Sequence, residues 1–224
     1  MRAEVDSFTR TRGPLADAAI VAALSAACVL VGLRALEDWH GPAHSMGNDT
    51  YIPAAMFASG RGFINVPPAE VPGLSEFLHF ERQTFFLPPD ATLPDPVPLD
   101  EFQRFHRYLV LSAGVVWWTF GVSWGAMKVL ILLLFAVSAA LVYGLFRLVA
   151  GRVAGAAGTA LFIFSPLMPY VLFIVRDFSK VPFFLGVFLA CGILLRRPAD
   201  RLCLLWCAVL AGASAGVGMG FQGT

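Results

Sequence analysis

Two acidic residues, Asp49 and Asp177, each stand in a polar stretch just ahead of an apolar run. In Asn48-Asp49-Thr50-Tyr51-Ile52-Pro53 the proline is tolerated only in the first turn of a helix, so a helix starts near Thr50 and Asp49 lies at its N-terminus. Ile52, Met56, Ser59 and Phe63 then follow at helical spacing, and Gly60-Arg61-Gly62 supplies the stop. In Arg176-Asp177-Phe178-Ser179-Lys180-Val181-Pro182 the acid lies between two cations, Ser179 is placed to cap the next span, and Pro182 falls in its first turn. A carboxylate beside a phosphate-activated sugar can take the proton from an attacking hydroxyl. Arg176, Lys180 and a helix N-terminus can stabilise the departing phosphate. The same residues also admit plainer readings: Asp49 as a helix cap, and Asp177 as a local ion pair at the membrane interface.

Other constellations are weaker. His40 and His44 are four apart with Asp49 nearby, but Pro42 lies between them, which argues against a helical metal site. His79 with Glu76 and Glu81 reads as a solvated interfacial face. Gly218-Met219-Gly220-Phe221-Gln222-Gly223 spells a dinucleotide-binding motif, yet it follows an apolar span where that motif needs a strand before it and a helix after. Gly212, Gly216 and Gly220 instead suit close helix packing in lipid. Cys28, Cys191, Cys203 and Cys207 all fall in apolar runs, as small packing residues do.

The elements that position the two acids follow from composition. Of 224 residues, 58% are hydrophobic and 14% charged, too few charges to cover a soluble domain of this size. The apolar residues come in blocks at about 15–36, 108–120, 126–149, 153–175, 181–195 and 202–220. Between the first two blocks lies a stretch rich in proline (Pro67, Pro68, Pro72, Pro88, Pro89, Pro94, Pro96, Pro98) that holds all the histidines and cannot cross a bilayer. Phe77, Phe80, Phe85 and Phe86 are interleaved there with charges, the pattern of a loop lying on the membrane surface. Basic residues are scattered near helix ends and form no stripe, which excludes a nucleic-acid partner.

The block at 108–120 is roughly 13 residues, below the ~17 a helix needs to span. If it does not cross, Arg2, Arg10, Arg12, Arg147, Arg152, Arg196, Arg197 and Arg201 share the cytoplasmic side, and the opposite short loop holds only Arg176 and Lys180. The positive-inside rule selects that arrangement. The expected fold is therefore all-α: a polytopic helical membrane protein with about five transmembrane helices and a long external loop carrying short interfacial helices. Its parts are a cytoplasmic tail (1–14), a first transmembrane helix (15–36), the external loop (37–125), a four-helix transmembrane region (126–221) and an external C-terminus (222–224). This topology brings the loops holding Asp49 and Asp177 to one outer face.

Asp49-x-Tyr51, followed by Ala55 and Gly60-Arg61-Gly62-Phe63, is similar to the first external loop of GT-C membrane glycosyltransferases, which include protein mannosyltransferases and the aminoarabinose transferases of lipid A. The segment from Tyr108 to Met127, with Phe120-Gly121-Val122-Ser123, resembles the one those enzymes place before their second span. The stretch from Arg176 to Phe183 resembles the second acidic loop of bacterial members. The resemblance implies Asp49 and Asp177 as the catalytic acids, with Tyr51, Arg176 and Lys180 binding substrate. It also implies a polyprenyl-phosphate sugar donor and a glycan, lipid or protein acceptor on the non-cytoplasmic face. No cofactor is assigned, and divalent-metal dependence is left open. The expected location is the plasma (inner) membrane with the N-terminus cytoplasmic. Family members generally carry more spans and continue past a Gly-rich span, so a fragment or a partner chain supplying further spans is expected. The rival expectation is a non-catalytic transporter subunit or scaffold. The spans are mostly apolar, with Ser138, Thr159 and Ser165 among their few polar residues, which argues against a transporter.

Overall fold

The computed structural model describes residues 2–42, 48–196 and 201–222. His44, Gly47, Arg197, Gly223 and Thr224 lie outside the described residues. The described chain is all-α. Helix α1 (Arg2–Ala35) runs unbroken through the basic segment expected as a tail, and its apolar portion is Pro14–Ala35. A 3-10 turn (Asp49–Tyr51) leads into α2 (Ile52–Ala58), with Pro53 in the first turn, and left-handed Gly60 follows its end. The proline-rich stretch holds the short helices α3 (Leu74–Leu78) and α4 (Glu101–Phe105). Then come α5 (Arg107–Phe120), α6 (Trp124–Ile163), α7 (Met168–Phe173), α8 (Val175–Phe178), α9 (Val181–Arg196) and α10 (Arg201–Gln222).

Among the described residues, three helices are long and apolar enough to cross a membrane: Pro14–Ala35, Trp124–Ile163 and Val175–Arg196. This is the architecture of a multi-pass helical membrane protein. The 40 residues of α6 would reach about 60 Å if straight, twice the ~30 Å hydrocarbon core. They are not straight. Gly151, at φ 85° and ψ −174°, breaks the helix in a conformation that disfavours any side chain. The two limbs fold against each other: Gly155 lies on Tyr143 and the Arg147 backbone, Gly158 lies on Phe146, and the Phe135 and Phe162 rings meet at 6.1 Å. Small residues let the limbs approach closely, the usual device for helix association in lipid.

Helix α1 packs on α6, α9 packs on α6 and α10, and α2 packs on α5. Cys28, Ile131, Phe135 and Ala139 are buried between them, while Val149, Val153, Leu161 and Leu195 point outward. Exposed aliphatic side chains on long apolar helices suit lipid as the surrounding medium. At 14 residues, about 21 Å, α5 is shorter than that medium is thick.

One expectation changes at 176–180. Ser179 does not cap the following helix; its buried hydroxyl donates to the Arg176 carbonyl at 2.8 Å. The reason is that 175–178 is itself a helical turn leading almost directly into α9, so little N-terminal backbone is left to cap.

Candidate functional site

The proline-rich stretch is built around an aromatic cluster. Phe77 stacks on Trp124 at 4.9 Å, and Tyr51 meets Trp124 and Trp117 at 5.5 and 6.0 Å. The indoles are tied down by their N–H groups: Trp124 donates to the Phe77 carbonyl at 2.9 Å, and Trp117 to the Ser123 carbonyl at 2.7 Å. A buried indole needs such a partner. Arg61, in the turn after α2, donates to the carbonyls of Pro88, Pro89 and Ala91. It thereby holds the proline-rich strip, whose prolines cannot donate backbone hydrogen bonds of their own.

Gln103 is the polar hub. Its backbone N–H and side-chain oxygen complete a capping box with Asp100. Its Nε2 donates to the Asp49 carbonyl at 2.9 Å and to Asn65 Oδ1 at 3.0 Å. Asn65 in turn donates to the Pro98 carbonyl. One side chain, 1% exposed, therefore joins α4, the 3-10 turn and the strip around Asn65. The spelling Asp100-x-x-Gln103 was a legible capping-box signal; its bonds to Asp49 and Asn65 were not.

With those pieces fixed, a cleft of about 110 Å³ opens between the 3-10 turn, α4–α5 and α7–α8. Leu109, Phe173, Ile174 and Val175 give it apolar walls, and Asn48, Thr50, His106 and Arg176 contribute the polar groups. The Arg176 guanidinium lies 5.6 Å from the centre of the Phe102 ring, which packs on His106 at 4.8 Å. The volume is well short of the roughly 300 Å³ of a drug-sized pocket. It suits one headgroup-sized polar group with an apolar continuation.

The five residues singled out from sequence fall into two groups. Tyr51 and Arg176 both line the cleft. Tyr51 is buried as part of its wall; burial pushes its phenol well above the ordinary range, and the Arg176 charge opposes that only in part. Asp49 does not line the cleft: it is exposed at the rim, between the cleft-lining Asn48 and Thr50, and among the described residues no ion pair reaches its carboxylate. Asp177 and Lys180 do not line the cleft. Lys180 Nζ lies 3.2 Å and Arg176 Nε 3.5 Å from the same Asp177 oxygen. Arg176 thus belongs both to the cleft and to this ionic triplet.

Phe102, Gln103 and His106 are the site residues that sequence reasoning missed. A second missed cluster lies around Asp17. This acid, inside the apolar part of α1, accepts from Tyr143 Oη at 2.7 Å, Arg147 at 2.6 Å and Arg152 Nε at 2.8 Å. It ties the start of the apolar portion of α1 to the Gly151 bend. For metal binding, the described residues contain no group of three or more His, Cys, Asp or Glu side chains arranged to hold an ion.

Comparison with protein-family models, with curated proteins and with solved structures returns no match to this chain.

Proposed function

We propose that the chain is a GT-C-like glycosyltransferase, or the N-terminal part of one, that moves a sugar from a polyprenyl-phosphate donor to an acceptor hydroxyl or amine. The observation that carries this reading is the cleft itself, which unites the segment next to Asp49 with the segment next to Asp177. Apolar walls beside a guanidinium suit the junction of a prenyl chain and its phosphate. Asp49, exposed and without an ion partner among the described residues, takes the proton from the acceptor as its oxygen or nitrogen bonds to the sugar's anomeric carbon. The bond from that carbon to the phosphate oxygen breaks, and the polyprenyl phosphate leaves with the electron pair. Arg176, which lines the cleft, neutralises the departing phosphate, and Lys180, held through Asp177 just outside the cleft, adds positive potential.

The accompanying topology has five crossings: the apolar part of α1, the two limbs of α6 with the second continuing into α7, then α9 and α10. The N-terminus is cytoplasmic in the plasma (inner) membrane, and the stretch with α2–α5 is an external loop of interfacial helices. Support comes from Asp17, which gathers Arg147 and Arg152 beside the start of the apolar portion of α1, on the cytoplasmic side that the positive-inside rule selects.

The test is transfer of labelled sugar from a polyprenyl-phosphate donor in membranes containing the chain. Asp49→Asn should abolish transfer at normal expression. Unchanged transfer would refute the role of Asp49, and tolerance of Asn at both 49 and 177 would favour a scaffold.

A further inference from the structure

Helices α4 and α5 meet at His106, whose φ −102° and ψ 22° are not helical, so residues 101–120 form a helical segment interrupted once. Along one side of it, at helical spacing, run Arg104, Arg107, Leu111, Val115 and Trp118, all exposed. The opposite side, Leu109, Val110, Ala113 and Trp117, is buried. The exposed side is graded, with charge at its start and apolar groups through to its end. At the charged end lies a groove of about 450 Å³ lined by Phe63, Leu99, Arg104, Arg107, Tyr108 and Leu111. It shares no lining residue with the Arg176 cleft.

We infer that this groove and the side of α5 continuing from it bind one anionic phospholipid, its phosphate on Arg104 and Arg107 and its acyl methylenes against Leu111, Val115 and Trp118. Three observations choose a lipid over a soluble anion or a protein. Among the described residues no acidic side chain ion-pairs with either arginine: the Asp100 carboxylate is used in the capping box, and neighbouring Glu101 does not line the groove. Arg107 lies over the Tyr108 ring at 5.2 Å, an arrangement that orients the guanidinium and leaves its in-plane N–H groups available to a phosphate. Beyond the arginines the exposed side is apolar, with Leu111, Val115 and Trp118, which suits acyl methylenes and not a soluble anion. The tryptophan at the apolar end is a residue type favoured at the membrane interface. Such a lipid would anchor α5, and α2 packed beneath it, at headgroup depth.

The full chain, purified in detergent, is titrated with phosphatidylglycerol or phosphatidylcholine and examined by native mass spectrometry. We expect one phosphatidylglycerol retained in preference to phosphatidylcholine, and a loss of that preference of roughly tenfold or more in R104Q/R107Q. The control R82Q removes an exposed cation elsewhere in the same stretch and should keep the preference. Equal retention of both lipids, or equal losses in R82Q and R104Q/R107Q, overturns the proposal. Should the double variant fail to fold, the unaltered chain is labelled with a phosphatidylglycerol bearing a photoreactive acyl tail. Adducts within 104–118 support the site, and their confinement to other helices refutes it. None of these readouts depends on sugar transfer.

Discussion

Gln103 Nε2 and the backbone carbonyl of Asp49 lie 2.9 Å apart, and this hydrogen bond fixes the turn that presents the Asp49 carboxylate. The donor is almost wholly buried, whereas the carboxylate it helps to place is exposed. A buried positioning residue and an exposed reactive one should respond differently to substitution.

Gln103→Leu removes the bonds to Asp49 and Asn65 and breaks the capping box. Leaving those buried acceptors unpaired costs about 1–3 kcal/mol. Thermal unfolding in detergent should show the loss directly, with loosening of the 3-10 turn visible as faster amide exchange at 49–51.

Asp49→Asn is expected to leave thermal stability unchanged, because among the described residues no ion pair is lost. Asp177→Asn removes the shared partner of Arg176 and Lys180. Its effect on stability should also be small, within ~1 kcal/mol, since Asp177 and Arg176 are about half exposed. Both variants should lower sugar transfer, Asp49→Asn the more severely. Equal residual transfer in the two would contradict the division of roles.

At the Asp17 cluster, Tyr143→Phe deletes one hydroxyl donor and should destabilise by about 1 kcal/mol. Asp17→Asn leaves Arg147 and Arg152 facing each other without their shared carboxylate, so its melting temperature should fall further than that of Tyr143→Phe. A melting temperature equal to that of the unaltered chain would mean the cluster does not hold α1 to α6.

Gly151→Ala forces a β-carbon onto a backbone with φ 85° and ψ −174°, a region essentially confined to glycine, at a strain of about 1–3 kcal/mol. Space is not the obstacle, because nothing lies within 4 Å of the added carbon. The same substitution at Gly60, also at positive φ but outside the long helices, should destabilise by a similar amount without altering the packing of the α6 limbs. Crosslinking between cysteines at 146 and 158 separates the two cases.

Topology is tested by cysteines placed singly at 49, 100, 177 and 201 in a background lacking the native ones. The first three should label from outside and the last only from inside. Inside labelling at 177 would put the acids on opposite faces and remove the basis for a shared site.

The amino-acid sequence by itself determined the helical, membrane-embedded character of the chain, the start of α2 near Thr50 and the short length of α5. These depend on local properties: apolar run length, a proline that can occupy only a first turn, and a segment too short to reach across lipid. Charge bias along the chain also led to the expectation that the Asp49 and Asp177 segments are neighbours, and they do meet around one cleft. Tertiary structure alone decided which side chains enter that cleft. Phe102 and His106 carry no local mark of a site, and Gln103 reaches Asp49 across 54 positions. Asp17 carries no local mark of its role either, because its partners lie 126 to 135 residues away. Hydropathy and turn chemistry act over a few residues, whereas a buried polar group is satisfied only by whatever the folded chain brings within hydrogen-bonding distance.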